Sequence, residues 1–207
     1  MWIKKKASNP MRFIRLSSLF VMACAVSAVA KAESDPQQVL HGAVDEVLAI
    51  AYDGKASAQP LSERVRPVLE KYFNFESITR RAVGPGWRQF KPEQQQRATV
   101  LFTELVIRTY ADRFEVGDRP GITYAAPVQL APGRRELPTT IDYAGKKYAV
   151  AYRMELVGGN WRIYDVIIEG VSMIANYRAQ FDALSQQGGP DAVIHSLEQN
   201  LKQVAAK

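Results

Sequence analysis

Tyr148-Ala149-Val150-Ala151-Tyr152-Arg153-Met154-Glu155-Leu156 and Trp161-Arg162-Ile163-Tyr164-Asp165-Val166-Ile167-Ile168 are two runs separated by Gly158-Gly159. In the first run, Tyr148, Val150, Tyr152, Met154 and Leu156 alternate with Ala149, Ala151, Arg153 and Glu155. A period of two is that of a strand with one apolar face. The second run is apolar on both sides towards its end, Tyr164, Val166 and Ile168 against Ile163 and Ile167. A glycine pair between two such runs predicts a tight antiparallel hairpin. Ala144-Gly145 and Pro132-Gly133 punctuate the chain upstream in the same way. The pattern therefore predicts four strands, at about 122–130, 136–143, 146–157 and 160–168.

Helical spacing governs the flanks. Asp35-Pro36 caps a first helix in which Val39, Leu40, Ala43, Val47 and Ile50 recur. A second helix is expected over about 61–73, interrupted by Pro67, and a short one over about 75–83, ended by Gly84-Pro85-Gly86. Pro92 opens the longest helix, expected to run to about Glu115. After Glu169-Gly170 a helix is expected to about Phe181, and a last one spans about 191–205. Helices before and after a run of strands argue for α+β architecture: one curved antiparallel sheet of about four strands, with helices around a hydrophobic cavity, a cone of the NTF2-like kind.

The long helix is apolar on two sides. At 100° per residue Ala98, Leu101, Phe102, Leu105, Val106 and Thr109 share one face, and Val100, Ile107, Tyr110 and Phe114 lie opposite. A surface helix needs one apolar stripe. Two stripes mean that the helix is clamped between layers or that one stripe lines a cavity.

Charge and composition narrow the function. The chain has 207 residues, 47% of them hydrophobic, and a net charge of +6. Six of its 27 basic residues (Lys4, Lys5, Lys6, Arg12, Arg15 and Lys31) precede any acid, leaving 21 basic against 21 acidic. A neutral body has no phosphate footprint, so no nucleic acid is expected as a partner. The basic start, the apolar run Leu16–Ala30 and small residues at Ala28-Val29-Ala30 or Ala30-Lys31-Ala32 read as a cleavable secretory signal over residues 1–32, with Met11 as an alternative start. The run is shorter than the roughly 20 residues that span a bilayer. Lipoprotein processing at Cys24 is the lesser alternative, because bulky Met22 stands where a small residue is usual. Residues 33–207 are then a single domain, without cysteine, outside the cytoplasm.

Common catalytic chemistry is missing. His41 and His195 lie far apart with no metal-spaced companion, and solvent-facing helix positions suffice for both. Gly170-Val171-Ser172-Met173-Ile174 lacks the second glycine of a nucleophile elbow. Gly84-Pro85-Gly86-Trp87 has proline and tryptophan where a phosphate would approach. Asp165 and Glu169, near a strand end, are an acid–base pair or the cap of the next helix. The stock of Tyr148, Tyr152, Met154, Trp161, Met173 and Tyr177 either fills a core or lines a deep apolar pocket, and the doubly apolar helix favours the pocket. No metal site, cofactor or catalytic residue is expected.

The segment Trp161-Arg162-Ile163-Tyr164-Asp165-Val166-Ile167-Ile168-Glu169-Gly170-Val171-Ser172-Met173-Ile174 resembles the most recognisable stretch of the MlaC, or toluene-tolerance, family. Arg66-Pro67-Val68-Leu69-Glu70, Gly86-Trp87-Arg88-Gln89, Pro92-Glu93-Gln94-Gln95 and Gly189-Pro190-Asp191-Ala192-Val193-Ile194 support the likeness, which extends over essentially all of residues 33–207. The resemblance implies a periplasmic phospholipid carrier with lipid as cargo. Its implied partners are an inner-membrane ABC transporter complex and an outer-membrane lipoprotein–porin complex, between which it helps maintain outer-membrane lipid asymmetry. With that reading, the lipid-lining residues are expected to be Leu105, Tyr110, Phe114, Tyr148, Val150, Tyr152, Met154, Tyr164, Val166, Ile168, Val171, Met173 and Ile174. Trp87 and Arg88 are read as a structural corner that could also serve docking. Two rivals stand beside it: an NTF2-like enzyme using Asp165 and a tyrosine on a small hydrophobic substrate, and an interaction protein whose pocket is merely core.

Overall fold

A computed structural model describes residues 34–53, 58–111 and 118–205, all within one compact unit, Ala32–Lys207. The leader at 1–32, with Cys24, and Phe114 lie outside the described residues. The helices are α1 (Pro36–Ala51), α2 (Leu61–Tyr72), α3 (Phe75–Val83), α4 (Pro92–Ala111) and α5 (Met173–Ala205). The strands are β1 (Gly121–Tyr124), β2 (Val128–Ala131), β3 (Arg134–Tyr143), β4 (Lys146–Val157), β5 (Asn160–Ile168) and β6 (Val171–Ser172). The sheet is antiparallel, in the order β1-β3-β4-β5-β6, with β2 also on β3.

Six strands replace the expected four. The segment 122–130 is broken at Ala125-Ala126-Pro127, and its halves pair with successive parts of β3. Proline has no N–H for the ladder. At the other edge, Glu169 (φ 50°) and Gly170 (φ 78°) both take left-handed backbone and turn β5 back into β6 before α5 begins. The β3–β4 and β4–β5 connections do the same with Ala144 and Gly145 and with Gly158 and Gly159. Two consecutive positive φ values are the type I′ signature, whose twist matches that of the strands.

Two helical expectations change. Helix α2 runs through Pro67 without interruption. Helix α5 continues beyond Phe181 and breaks at Gly188 and Gly189, the latter at φ 63°.

The long helix α4 is covered on two sides. Its Ala98, Leu101, Phe102 and Leu105 enter a helical core with Ile78, Ala82, Tyr177, Phe181 and Leu197. Phe102 meets Tyr177 and Phe181 edge-on, at 4.7 and 5.5 Å between centroids. Ile107 and Ala111, round the helix, pack with Val65 of α2. Trp87 stacks on Phe90 beside the helical core, at the 3-10 turn Gly84–Gln89. Between the helices and the sheet, Phe73 bridges Ile163 and the Asn74 amide donates to the Ile163 carbonyl at 2.8 Å. Arg81 of α3 clamps the same seam, donating to Glu155 at 2.7 Å and lying 4.3 Å from the Tyr164 ring centre.

Candidate functional site: an apolar cavity between helices and sheet

Helix α1 sets Leu40, Ala43, Val44, Val47, Leu48, Ala51 and Tyr52 along one side, the 3.6-residue stripe of an amphipathic helix. That stripe faces open space. Helix α2 adds Leu61, Val65, Val68, Leu69 and Tyr72, and α4 adds Val106, Ile107, Tyr110 and Ala111. The opposite wall is one face of the sheet. Cross-strand partners share a face, so Ile122 with Ile141, Val150 with Ile168, and Tyr152 with Val166 form successive rows of that wall. Phe73, Phe75, Pro120 and Met173 complete a cavity of about 230 Å3 whose lining is almost wholly hydrocarbon.

A bulge in β5 shapes this wall. Arg153 pairs with Asp165 and Met154 with Ile163, leaving Tyr164 as the extra residue. Ile163, Val166 and Ile168 thereby all reach the cavity, and Tyr164 turns into the helical core. Strict alternation puts Tyr164 with Val166 and Ile168, and Ile163 opposite. The bulge reverses that assignment.

Of the residues expected to line the cavity, Tyr110, Val150, Tyr152, Val166, Ile168 and Met173 do so. Others lie elsewhere. Leu105, Tyr164 and Ile174 belong to the helical core, and Met154 is fully buried with Leu40, Leu137, Trp161 and Ile163. Tyr148 and Val171 are exposed, by 37% and 63%; Tyr148 extends the row of Ile141, and Val171 extends that of Val150 and Ile168 at the sheet's edge. The stripes of α1 and α2, and Ile122, Ile141 and Ile163, are lining that alternation and the long helix did not reveal, whereas Ile107 lay on the second stripe of the long helix without being among the expected lining. The α1 stripe was visible as spacing, but spacing does not say what a stripe faces.

Asp165 has a different task. It is 3% exposed and outside the cavity lining. Its carboxylate accepts from the Ser172 hydroxyl at 2.7 Å and the Ile174 amide at 3.2 Å, and lies 3.6 Å from the Arg153 guanidinium. Ser172 Oγ in turn accepts from the Ala175 amide at 3.0 Å. Together they satisfy the first amides of α5. His41 also departs from expectation: it stacks on Tyr124 at 3.6 Å, and its buried Nε2 has no hydrogen-bond partner among the described residues.

Ion pairs hold the cavity's helical wall from outside. Glu104 of α4 accepts from Arg108 and from Arg66 of α2. Burial opposes the Glu104 charge, but the hydrogen bonds from Arg108 and the charge of Arg66 outweigh it and keep the carboxyl below its usual range. Tyr72 donates to Glu46 at 2.7 Å, joining α2 to α1. Within the lining, burial pushes the Tyr152 hydroxyl up to about 12. Among the described residues no cluster of metal-ligating side chains occurs, and no helix is long and apolar enough to cross a membrane.

An open antiparallel sheet closed by helices over an oily hollow defines a small α+β domain of the cavity-bearing kind. The chain belongs to the MlaC family: the family model described as MlaC protein matches residues 41–199. It is 24% identical over 180 residues to a toluene tolerance protein, ttg2D, of Pseudomonas putida, covering 84% of this chain and 83% of that one. It is also 24% identical over 210 residues to the intermembrane phospholipid transport system binding protein MlaC of Haemophilus influenzae, covering 93% and 94%. A solved structure of a phospholipid-binding protein from Ralstonia solanacearum, in complex with a phospholipid, superposes with a TM-score of 0.73 at 27% identity, covering 83% of this chain and 99% of that one.

Proposed function

We propose that this protein is a periplasmic phospholipid carrier that holds acyl tails in the cavity. It would exchange them with an inner-membrane ABC transporter complex and an outer-membrane lipoprotein–porin complex, so maintaining outer-membrane lipid asymmetry. The observation that carries the reading is the cavity itself. The hollow of about 230 Å3 opens at a rim where Ile168 is exposed, and its walls are almost wholly hydrocarbon. Apolar surface left against water forgoes about 25 cal/mol per Å2, which burial by a hydrocarbon guest recovers. Family membership and the phospholipid bound by the Ralstonia relative support a lipid tail as that guest.

Energetics fit a shuttle. Each methylene kept from water is worth about 0.8 kcal/mol, so a chain of roughly sixteen carbons represents about 13 kcal/mol. Such a chain does not cross water unaided. A cavity that cancels most of this cost brings transfer between membrane and carrier near balance, leaving direction to the partners. The lining that contacts tails in this reading includes Tyr110, Val150, Tyr152, Val166, Ile168 and Met173, with the α1 and α2 stripes. Asp165 accepts from Ser172 and the Ile174 amide and lies outside the cavity lining, which counts against the rival enzyme reading. Organic extraction and mass spectrometry of the purified protein test the proposal. Phospholipid in a fixed ratio to protein is expected. Protein free of lipid that also takes none from phospholipid vesicles refutes it.

A further inference from the structure

One row of the sheet crosses the whole cavity wall: Tyr124, Thr139, Val150, Ile168 and Val171, on β1, β3, β4, β5 and β6 in turn. Cross-strand partners share a face, so all five belong to the face that bounds the cavity. The two ends of the row are finished differently. At the β1 end Tyr124 is half-buried and stacked against His41 of α1. At the β6 end exposure climbs from 7% at Val150 to 37% at Ile168 and 63% at Val171. Strand β6 pairs with β5 alone, so the sheet does not continue beyond Val171. From Val150 outward the apolar wall therefore runs out of the cavity and over the sheet's edge without a polar step.

Exposed apolar side chains scattered singly are ordinary. These adjoin one another and the cavity. Tyr148, also exposed, is the diagonal neighbour of Ile168 on the same face. Its kind has an apolar body and a polar tip, which suits the boundary between water and lipid. Lys146 and Lys147 precede it and make no ion pair among the described residues; lysine stems lie along apolar surface while the charge stays in water. Asp142, opposite Lys147, and Glu169, on the Ala149 amide, balance their charge. The contact that this rim offers is apolar rather than Coulombic.

We propose that Val171, Ile168 and Tyr148 form a lip that touches a phospholipid bilayer, and that tails pass over it between the bilayer and the cavity. The inference rests on the carrier reading and adds its route: lipid crosses the β6 edge, and a bare bilayer is enough to load the protein. A tail that leaves a bilayer exposes its methylenes to water one after another. An apolar strip joined to the wall covers part of the tail during the passage and lowers the barrier. It adds nothing to what the filled cavity holds. Val171, outside the cavity lining, therefore sets the rate of exchange and not the amount bound.

Purified protein is mixed with vesicles of phosphatidylethanolamine and phosphatidylglycerol whose chains are deuterated. At timed intervals the protein is separated and its deuterated lipid counted by mass spectrometry. The initial slope gives the rate and the plateau the amount held. Val171→Glu should slow uptake about five- to twentyfold at an unchanged plateau, because it forfeits the contact of a valine side chain that is 63% open. Val171→Leu should keep the wild-type rate. Val171→Thr, of the same shape, should fall between wild type and Val171→Glu, and it preserves the test should the charge disturb the turn. Val157→Glu, at a valine 46% exposed at the far end of β4, should leave the rate alone. The wild-type rate should rise in proportion to vesicle concentration, since contact is required. Val171→Glu or Val171→Thr at the wild-type rate, Val171→Leu as slow as Val171→Glu, equal slowing by Val157→Glu, or slowing matched by a fallen plateau overturns the lip. So does a rate independent of vesicle concentration, which would mean capture of lipid dissolved in water. A wild-type dimer that Val171→Glu splits on a sizing column overturns it in favour of a contact between copies. Wild type that carries lipid from the cell but takes none from vesicles overturns the lip and keeps the carrier; wild type with no lipid from either source overturns the carrier reading itself.

Discussion

Ile168 offers a test in which folding and lipid binding are separable. It lines the cavity yet is 37% exposed, so a charged replacement at this position can reach water at the rim. Fully burying an isoleucine is worth about 1.5–3 kcal/mol. Ile168→Asp forfeits about two-thirds of that, roughly 1–2 kcal/mol, within the stability of a typical domain. The effect on lipid is larger. A carboxylate and its hydration shell beside the tail expose about three methylenes, about 2–3 kcal/mol at 0.8 kcal/mol each. That corresponds to a loss of affinity of about 30- to 150-fold. Val150→Arg, at the partner position in the same row and only 7% exposed, places a guanidinium against the tail from within the wall and should deplete lipid further. Lipid-to-protein ratios after extraction, with circular dichroism melts of the same samples, give both quantities. Folded variants that retain wild-type lipid at both positions would place the cargo outside this cavity and refute the reasoning.

Asp165→Ala should lower stability by about 1–3 kcal/mol, because the Ile174 amide and Ser172 hydroxyl lose their acceptor; a thermal melt reads this, and lipid content at a temperature where the variant is folded should be unchanged. Glu104 has its folded carboxyl held below the usual 4.5. Its contribution to stability is therefore complete above that value and lost as pH falls below it through the folded pKa. Glu104→Gln should flatten this part of the acid limb in melts recorded from pH 6 downwards, and an acid limb identical to wild type would remove Glu104 from the account.

The alternation in β4 and the glycine pairs are local facts, and they were enough for an antiparallel sheet and its hairpins. A pleated strand puts every second side chain on one face, whatever lies beyond it. The two apolar stripes of α4 were legible for the same reason; the first is covered by α5, and the second only in part, Ile107 and Tyr110 facing α2 and the cavity while Val100 is 57% exposed. Pro127 in a run otherwise fit for one strand carried the signal for the break between β1 and β2.

Local pattern does not report who the neighbour is. Leu40 to Tyr52 repeat as any core-facing helix would, and only the placement of α1 across from the sheet makes that stripe a cavity wall. Ile163 and Tyr164 exchange roles because one unpaired residue in β5 shifts the face of all that precede it, and the register of a bulge depends on the partner strand. Asp165 became a cap once β6 turned the chain back to present Ser172 and Ile174 to it. Periodicity follows from the geometry of a single segment. Whether an apolar face meets side chains or empty volume depends on the distance between segments, which no one-dimensional pattern encodes.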